Sequence, residues 1–542
     1  MLSGLIILPL LGIIGLVVVS ANHRLSKQVT LGVTLANLAL SLVLWGEFDG
    51  NSGEYQFVQE LSYVTEWQIK LGVDGLSLLF VILTCFIIPC SILASWALPT
   101  PRTYHDLLQS WPLIEVVWVR LRGIPTLLDI PRTSHYLMVL LLVESLLIGL
   151  FLVLDLLLFY ICYESVLIPL FLMIGIWSTS RNKVRASYLL FLYTLSGSLF
   201  MLLAILSIYM AAGTTDYLLL TTGEFTSSVQ YALWLGVFLA LAIKSPIIPL
   251  HIWLPLAHSE APLAGSILLA GIVLKMATYG FLRILVTLLP EASEFFTPLV
   301  YTLCLISILY SCLSTLRQSN LKSIIAYSSI GHMAIAILGV FSNTTLGIEG
   351  GLLLGFAHGL VSPALFVCVG IIYERWHTLI ILYFRGLTTI MPLFALLFFI
   401  FCLANMGVPL TANFLGEFLS LTGGFNRNPV LVGLAASSMV LVAGYSIWLY
   451  NRVCFGSLSP YLRATLDINR REFYLLLPFV VIVVFLGVYP KILLDSIHFS
   501  VSSLLYTTFP LKGRGLSEAP GRIIFKNQGR LAGGVSKEGN SI

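Results

Sequence analysis

The stretch LALAIKSPIIPLHIWLPLAHSEAP, residues 239–262, decides how this chain is read. It lies inside a strongly apolar region, yet it carries Lys244, His251, His258, Glu260 and four prolines. A proline inside a helix removes a backbone donor and disfavours helical geometry in the residue before it. Pro246 and Pro249 therefore break a helix that the apolar run Leu239–Ile243 would otherwise continue. Lys244 then falls at the C-terminal end of a first half-helix, where free carbonyls favour a cation. Such carbonyls need polar partners or water, so the break should line a hydrated cavity.

The whole chain sets that stretch in a membrane. Of its 542 residues, 58% are hydrophobic and 10% charged, with mean hydropathy +0.96. Soluble domains carry about a quarter charged residues. Apolar runs of roughly 20 residues recur from end to end, about fourteen in all. They lie near 2–20, 28–46, 72–98, 136–153, 156–176, 186–212, 230–257, 262–289, 296–316, 322–341, 350–373, 388–423, 429–451 and 473–495. Without the alternation of a barrel strand, these are helices, since lipid leaves no backbone group unpaired. The predicted class is an all-α polytopic membrane protein with its seventh and twelfth helices broken by proline. Pro409 and Gly407 mark the second break. Asn413 reads as the N-cap of the following half-helix, with Glu417 in its first turn.

Divided along the chain, residues 1–98 hold helices 1–3 and 99–135 a polar, proline-studded insertion. Residues 136–289 and 290–453 form two halves, 454–500 a loop and the last helix, and 501–542 a basic, Gly-rich polar tail. YTLSGSLF at 193–200 resembles GLVSPALF at 359–366, and about the same offset carries Pro246 onto Pro409. Broken helices in corresponding halves point to a transport site. The leading apolar run, 2–20, lacks a positive n-region and is read as a retained helix.

Loop charges give the orientation. The odd-numbered loops hold most of the lysine and arginine, including Arg181, Lys183, Arg185, Arg317, Lys322, Arg375, Arg385 and Arg452. The even-numbered loops hold Lys70 and Arg427 beside many acids, including Glu54, Asp216, Glu224 and Glu349. The odd loops are thus expected on the negative side and both termini on the other.

A charge at the bilayer centre costs about 2.5–3.5 kcal/mol on insertion scales. Here Glu144, Glu164, Lys244, Lys275, His332 and His358 sit near the middle of their spans, and Glu417 in the second half of the twelfth. One buried histidine alone is more often a satisfied core residue. Acids, bases and histidines recurring at one depth on so many helices read better as a file of protonatable groups. The eight cysteines fall in apolar runs without a C-x-x-C pair, and there is no P-loop or dinucleotide fingerprint. No metal or cofactor site, and no nucleic-acid partner, is expected on this chain.

GVDGLSLLF (72–80), YESVLIPLF (163–171), KSPIIPLHIWLPLAHSEAPLAGSILLAGIVLKMATYGFLR (244–283), LRQSNLKSIIAYSSIGHM (316–333) and NFLGEF (413–418) together resemble the antiporter-like, Mrp-related subunits of respiratory complex I. The resemblance covers most of residues 1–500. It implies a fourteen-helix fold with two inverted repeats, and a proton-translocating function coupled to quinone reduction elsewhere. It implies that Glu164 and Lys244 form a switch, that Lys275, His332 and His358 continue the polar axis, that Glu417 is the exit-side carboxylate and that Glu144 supports. It also implies partners in the membrane arm, chiefly the antiporter-like chains 2 and 5, with membrane lipids. FMN, iron–sulfur clusters and ubiquinone would be used by the complex rather than held by this chain, and the location would be the mitochondrial inner membrane. Leu256 stands where the family usually has an acid. A stand-alone Mrp-type cation/proton antiporter, or a non-conducting structural spacer, would share much of this pattern.

Overall fold

The computed structural model describes residues 1–19, 22–62, 68–96, 132–463, 465–508 and 523–525. Among the described residues, thirteen helices are long and apolar enough to cross a membrane, from Leu2–Val19 to Arg470–Val488. The twelfth crossing is made by two shorter helices, Pro392–Asn405 and Ala412–Phe425. The seventh is likewise divided, into Ser227–Lys244 and Trp253–Glu260. Each break falls at its prolines, Pro246 and Pro249 in one and Pro409 in the other. Helix Lys183–Ala212 packs along the first broken helix as Thr345–Trp376 packs along the second.

The centre of the molecule is formed by spans eight and eleven, Leu263–Val286 and Thr345–Trp376, whose apolar windows are wholly buried. The outer helices Leu2–Val19 and Arg470–Val488 turn most of their apolar residues outward, as lipid allows. Glycines permit the closest contacts. Gly350 and Gly416 sit where helices eleven and twelve touch, and a Cβ on either would lie within 2.7 Å of the facing backbone.

Several sequence expectations change here. The third helix begins at Gly75, because Asp74 caps it: the Asp74 carboxylate accepts from the Ser77 amide at 3.0 Å, and the Ser77 hydroxyl accepts from the Asp74 amide. Ahead of it, Gln56–Ser62 and Gln68–Val73 form an antiparallel hairpin that the all-helical reading omitted. The fourth helix starts at Arg132, inside the stretch assigned to the insertion. The rest of that insertion, 99–131, lies outside the described residues. Lys322 is not a loop cation but lies in the first turn of Leu321–Val340, buried, its ammonium donating to the Ala261 carbonyl at 2.7 Å. Glu349 is likewise within a helix and buried, accepting from His498 Nδ1 at 2.7 Å. His498 belongs to a further helix, Lys491–Thr508, which runs across the boundary drawn at residue 500. Beyond it most of the tail lies outside the described residues, but Ile523–Phe525 pairs in parallel with Gly223–Phe225.

Candidate functional site

The eighth span positions Lys275 by an irregularity in its own winding. Leu269–Val273 and Phe281–Val286 are π-helical turns on either side of the α-helical Leu274–Gly280. Wider turns displace carbonyls from the usual ladder and recur at functional sites. Lys275, with no exposed surface, donates to the Ala270 carbonyl of the first π turn. Its ammonium also lies 2.9 Å from His358 Nδ1 on the eleventh span.

From His358 the contacts continue inward. Its Nε2 is 3.1 Å from the Ser329 hydroxyl, which is 3.2 Å from Ser362. The His358 and His332 ring centroids are 5.5 Å apart. His332 Nδ1 meets Glu417 Oε1 at 2.7 Å, and both residues are buried. Lys275, His358, His332 and Glu417 are therefore brought together as one file across spans eight, ten, eleven and twelve. His358 offers one nitrogen to Lys275 and the other to Ser329, whereas His332 offers Nδ1 to Glu417 and its Nε2, on the ring that faces His358, has no hydrogen-bond partner; an imidazole can take a proton on one nitrogen and release it from the other.

Asn413 does not cap the second half-helix of span twelve. That helix begins at Ala412 after Thr411, and the Asn413 side chain is buried within it without a hydrogen-bond partner. Glu417 accordingly sits in the second turn rather than the first. The helix N-terminus still favours its charge, though more weakly than at the first turn. The carboxylate is held instead by His332.

At the other break, Lys244 is the last residue of Ser227–Lys244 and is buried. Its ammonium donates to the Tyr163 carbonyl at 2.9 Å and lies 3.7 Å from the centre of the Tyr163 ring. The fifth span supplies that carbonyl because it is interrupted at Val166, three residues before Pro169. Glu164 is within electrostatic reach of Lys244 but makes no ion pair with it, and its carboxylate oxygens have no hydrogen-bond partner. Lys244 and Glu164 thus stand near each other and unbonded. Glu144 stands apart, hydrogen-bonded to Asn37 of the second span at 2.8 Å.

Sequence reasoning passed over a side group of buried residues. His258 is fully buried, with both ring nitrogens unpartnered and its ring stacked 4.9 Å from Phe366. Lys322 and Lys275 both act on it electrostatically. Glu260, half-buried and bonded to Ser180, lies within reach of Lys322. His258 and Glu260 stood in the opening stretch itself. Lys322 was hidden by its proximity to the loop cation Arg317. A separate buried ion pair, Arg283 with Asp74, is ringed by Tyr55, Tyr217 and Tyr279. It joins the eighth span to the capped start of the third.

The family described as NADH:quinone oxidoreductase/Mrp antiporter, transmembrane, matches residues 153–451. A NADH-ubiquinone oxidoreductase chain 4 from Mycosarcoma maydis is 51% identical over 94% of this chain and all of its own length. Respiratory complex I from Thermus thermophilus contains a chain similar in structure, with TM-score 0.79 and 29% identity, covering 94% of this chain and 100% of that one. The Mrp complex from Dietzia sp. contains another with TM-score 0.79 at 20% identity, covering 93% and 98%, a likeness of fold alone. These matches, with the spans above, make this a multi-pass membrane protein of antiporter-like fold, and the chain belongs to the NADH-ubiquinone oxidoreductase chain 4 family.

Proposed function

We propose that this chain conveys protons across the membrane through its buried file, as a membrane-arm subunit of an NADH:ubiquinone oxidoreductase. The observation that carries the reading is the buried cluster Lys275–His358–His332–Glu417, with contacts of 2.9 and 2.7 Å at its ends and the two imidazole rings 5.5 Å apart between them. Buried charges are costly unless they are paired or functional, and here four groups able to hold a proton meet in one line. Lys244 and Glu164 act as a switch upstream. When the two approach, the ammonium is held charged; when they part, desolvation favours release of its proton. The first half, 136–289, carries the switch and Lys275, and the second, 290–453, carries the exit side. Glu144 supports the approach to Glu164.

Moving one charge against 100 mV costs about 2.3 kcal/mol, which quinone reduction elsewhere in the complex supplies. FMN, iron–sulfur clusters and ubiquinone belong to that assembly, and this chain binds none of them. Its neighbours are the antiporter-like chains 2 and 5 and the lipid around them. The odd loops face the matrix and both termini face the intermembrane space of the mitochondrial inner membrane. The contrast between 51% identity to a chain 4 and 20% to the Mrp chain favours this reading over a stand-alone antiporter.

The test is Lys275→Met in the intact complex, read by NADH oxidation and proton pumping in sealed vesicles. Pumping is expected to fall at least about a hundredfold, the usual scale for losing a proton-transfer group. Undiminished pumping by the assembled variant would refute the file.

A further inference from the structure

Lys244 rests on Tyr163 through two contacts at once. Its ammonium donates to the Tyr163 carbonyl at 2.9 Å and stands 3.7 Å from the centre of the same residue's ring. A cation within about 6 Å of a ring face is attracted by the ring quadrupole, most strongly where water is excluded. Both residues are 1% exposed, so this contact is dry. Glu164, the carboxylate that acts on the ammonium, is the next residue along the fifth span. Successive residues of a helix point about 100° apart. Accordingly the Glu164 carboxylate lies within reach of Tyr160 and of Ser198 on the sixth span, bonded directly to neither. Ring and carboxylate thus offer the ammonium two places on one turn of helix.

The ring itself is held from several sides. Its hydroxyl donates to the Ala240 carbonyl at 3.2 Å, one turn before Lys244 on the broken seventh span. It stacks on Phe159 with centroids 5.9 Å apart, and Phe159 lies 6.3 Å from Tyr279. The Tyr279 ring is in turn 5.2 Å from the Arg283 guanidinium, which is ion-paired with Asp74. A row of rings therefore runs from a buried ion pair to the ammonium. In so close-packed an interior Tyr163 has no room to turn away.

We propose that Tyr163 is a positioning residue of the switch: its ring and carbonyl form a second seat for the Lys244 ammonium, taken whenever the ammonium leaves Glu164. The seat attracts a cation but cannot accept its proton. It therefore keeps Lys244 charged and in place until an acceptor is within reach. Without it, desolvation would either strip the proton as the pair parts or keep the pair from parting. The proposal rests on the reading of Lys244 and Glu164 as a proton switch.

Tyr163→Leu and Tyr163→Phe test it in the intact complex, read by pumping per assembled complex and by its pH profile. Tyr163→Leu removes the ring and keeps an apolar side chain. Pumping is expected to fall at least about tenfold. Its alkaline limb is expected to move to lower pH, because the ring no longer helps to hold the ammonium charged. Among the described residues Glu164 is the charged side chain that acts on Lys244, and it is present in both variants. Tyr163→Phe keeps the ring face and is expected to restore most of the pumping and the pH profile. Should Tyr163→Leu fail to assemble, Tyr163→Met is read in the same way. Undiminished pumping by Tyr163→Leu would overturn the proposal. A fall with an unshifted pH profile would overturn it too, since the ring would then only fill space. So would a Tyr163→Phe complex as slow as Tyr163→Leu, because the hydroxyl and not the ring would then matter. Lys244→Met is measured alongside. Undiminished pumping there would sink the switch itself, whereas a loss there with an untouched Tyr163→Leu would sink the seat alone.

Discussion

The seventh and twelfth spans are both broken near a proline, yet they are opened by different means and hold opposite charges. In the seventh, Pro246 and Pro249 unwind residues 245–252 with no left-handed residue between the two half-helices. In the twelfth, Pro409 is flanked by Gly407 at φ +68° and Leu410 at φ +76°. Lys244 closes the first half of its span, at the negative end of a helix dipole. Glu417 lies in the second half of its own, toward a positive end. The partners differ too. Lys244 is held by a carbonyl and an aromatic face, neither of which can take its proton, while Glu417 touches an imidazole that can. One break therefore presents a cation free to change partner, and the other a carboxylate already joined to the file.

The largest effect should come from the loosely partnered end. If Lys244 is a proton carrier, Lys244→Arg keeps the charge but cannot release a proton at any relevant pH. Lys244→Met keeps much of the stem and removes the ammonium. Both should lower coupled NADH oxidation and pumping by about a hundredfold or more while the complex assembles. Near-normal pumping by Lys244→Arg would make the residue a structural cation, and the contrast between the two breaks would lose its functional meaning.

The second break can be tested through its backbone. A Cβ at Gly407 would lie 2.7 Å from Glu417 Oε2, and its φ is one that side chains rarely adopt. Gly407→Ala should cost about 1–3 kcal/mol of stability through the strained φ. It should also push the carboxylate away from His332, lowering pumping more than assembly. Thermal inactivation of the complex and its pumping rate measure the two separately. Full pumping at reduced stability would show that the His332–Glu417 contact at 2.7 Å is not needed.

The spans and both breaks were legible in the sequence because hydropathy and proline act locally. So were the buried ionisable residues themselves, since an ionisable group in an apolar run stands out whatever the fold. Which of them touch was not legible. His358 and Lys275 are 83 positions apart and meet only because spans eight and eleven cross at the core. Asn413 misled because Asn suits an N-cap, but the left-handed Leu410 lets the helix start at Ala412 and draws Asn413 inside. Lys322 and Glu349 were counted with the loops because a helix that starts early looks, in sequence, like a charged loop. The last helix, Lys491–Thr508, carries too many serines and charges to register as a span, and it packs on the eleventh instead of crossing independently.

That helix gives the next test, smaller in scale. His498 Nδ1 and Glu349 Oε1 join it to the eleventh span at 2.7 Å, with His498 half-exposed and Glu349 buried. His498→Gln keeps a donor and should be nearly neutral. His498→Leu leaves a buried carboxylate without its partner and should destabilise by about 1–3 kcal/mol, seen as earlier loss of the subunit on detergent titration. Equal behaviour of the two variants would mean that the helix is held by apolar packing alone.

The smallest effect belongs to the first half's counterpart on the even-loop side. Lys70, on the hairpin ahead of the third span, donates to Asp216 at 2.8 Å and lies 3.5 Å from Glu60. The Asp216 hydrogen bond holds its pKa above the ordinary lysine value, outweighing some desolvation. A raised folded pKa stabilises wherever the unfolded lysine is already charged, and that contribution is lost only as pH rises through the folded value. The pair should therefore be constant across the working range of the complex and weaken only in strong alkali. Because both partners are partly exposed, at 21% and 15%, the contribution is of the surface kind, about 1 kcal/mol or less, and screened by salt. Lys70→Met should shift thermal inactivation slightly at low ionic strength and hardly at all at high, with pumping unchanged. A salt-independent loss of stability would instead mark the lysine stem as packing against the hairpin, and a loss of pumping would carry the functional contrast between the halves out to the surface.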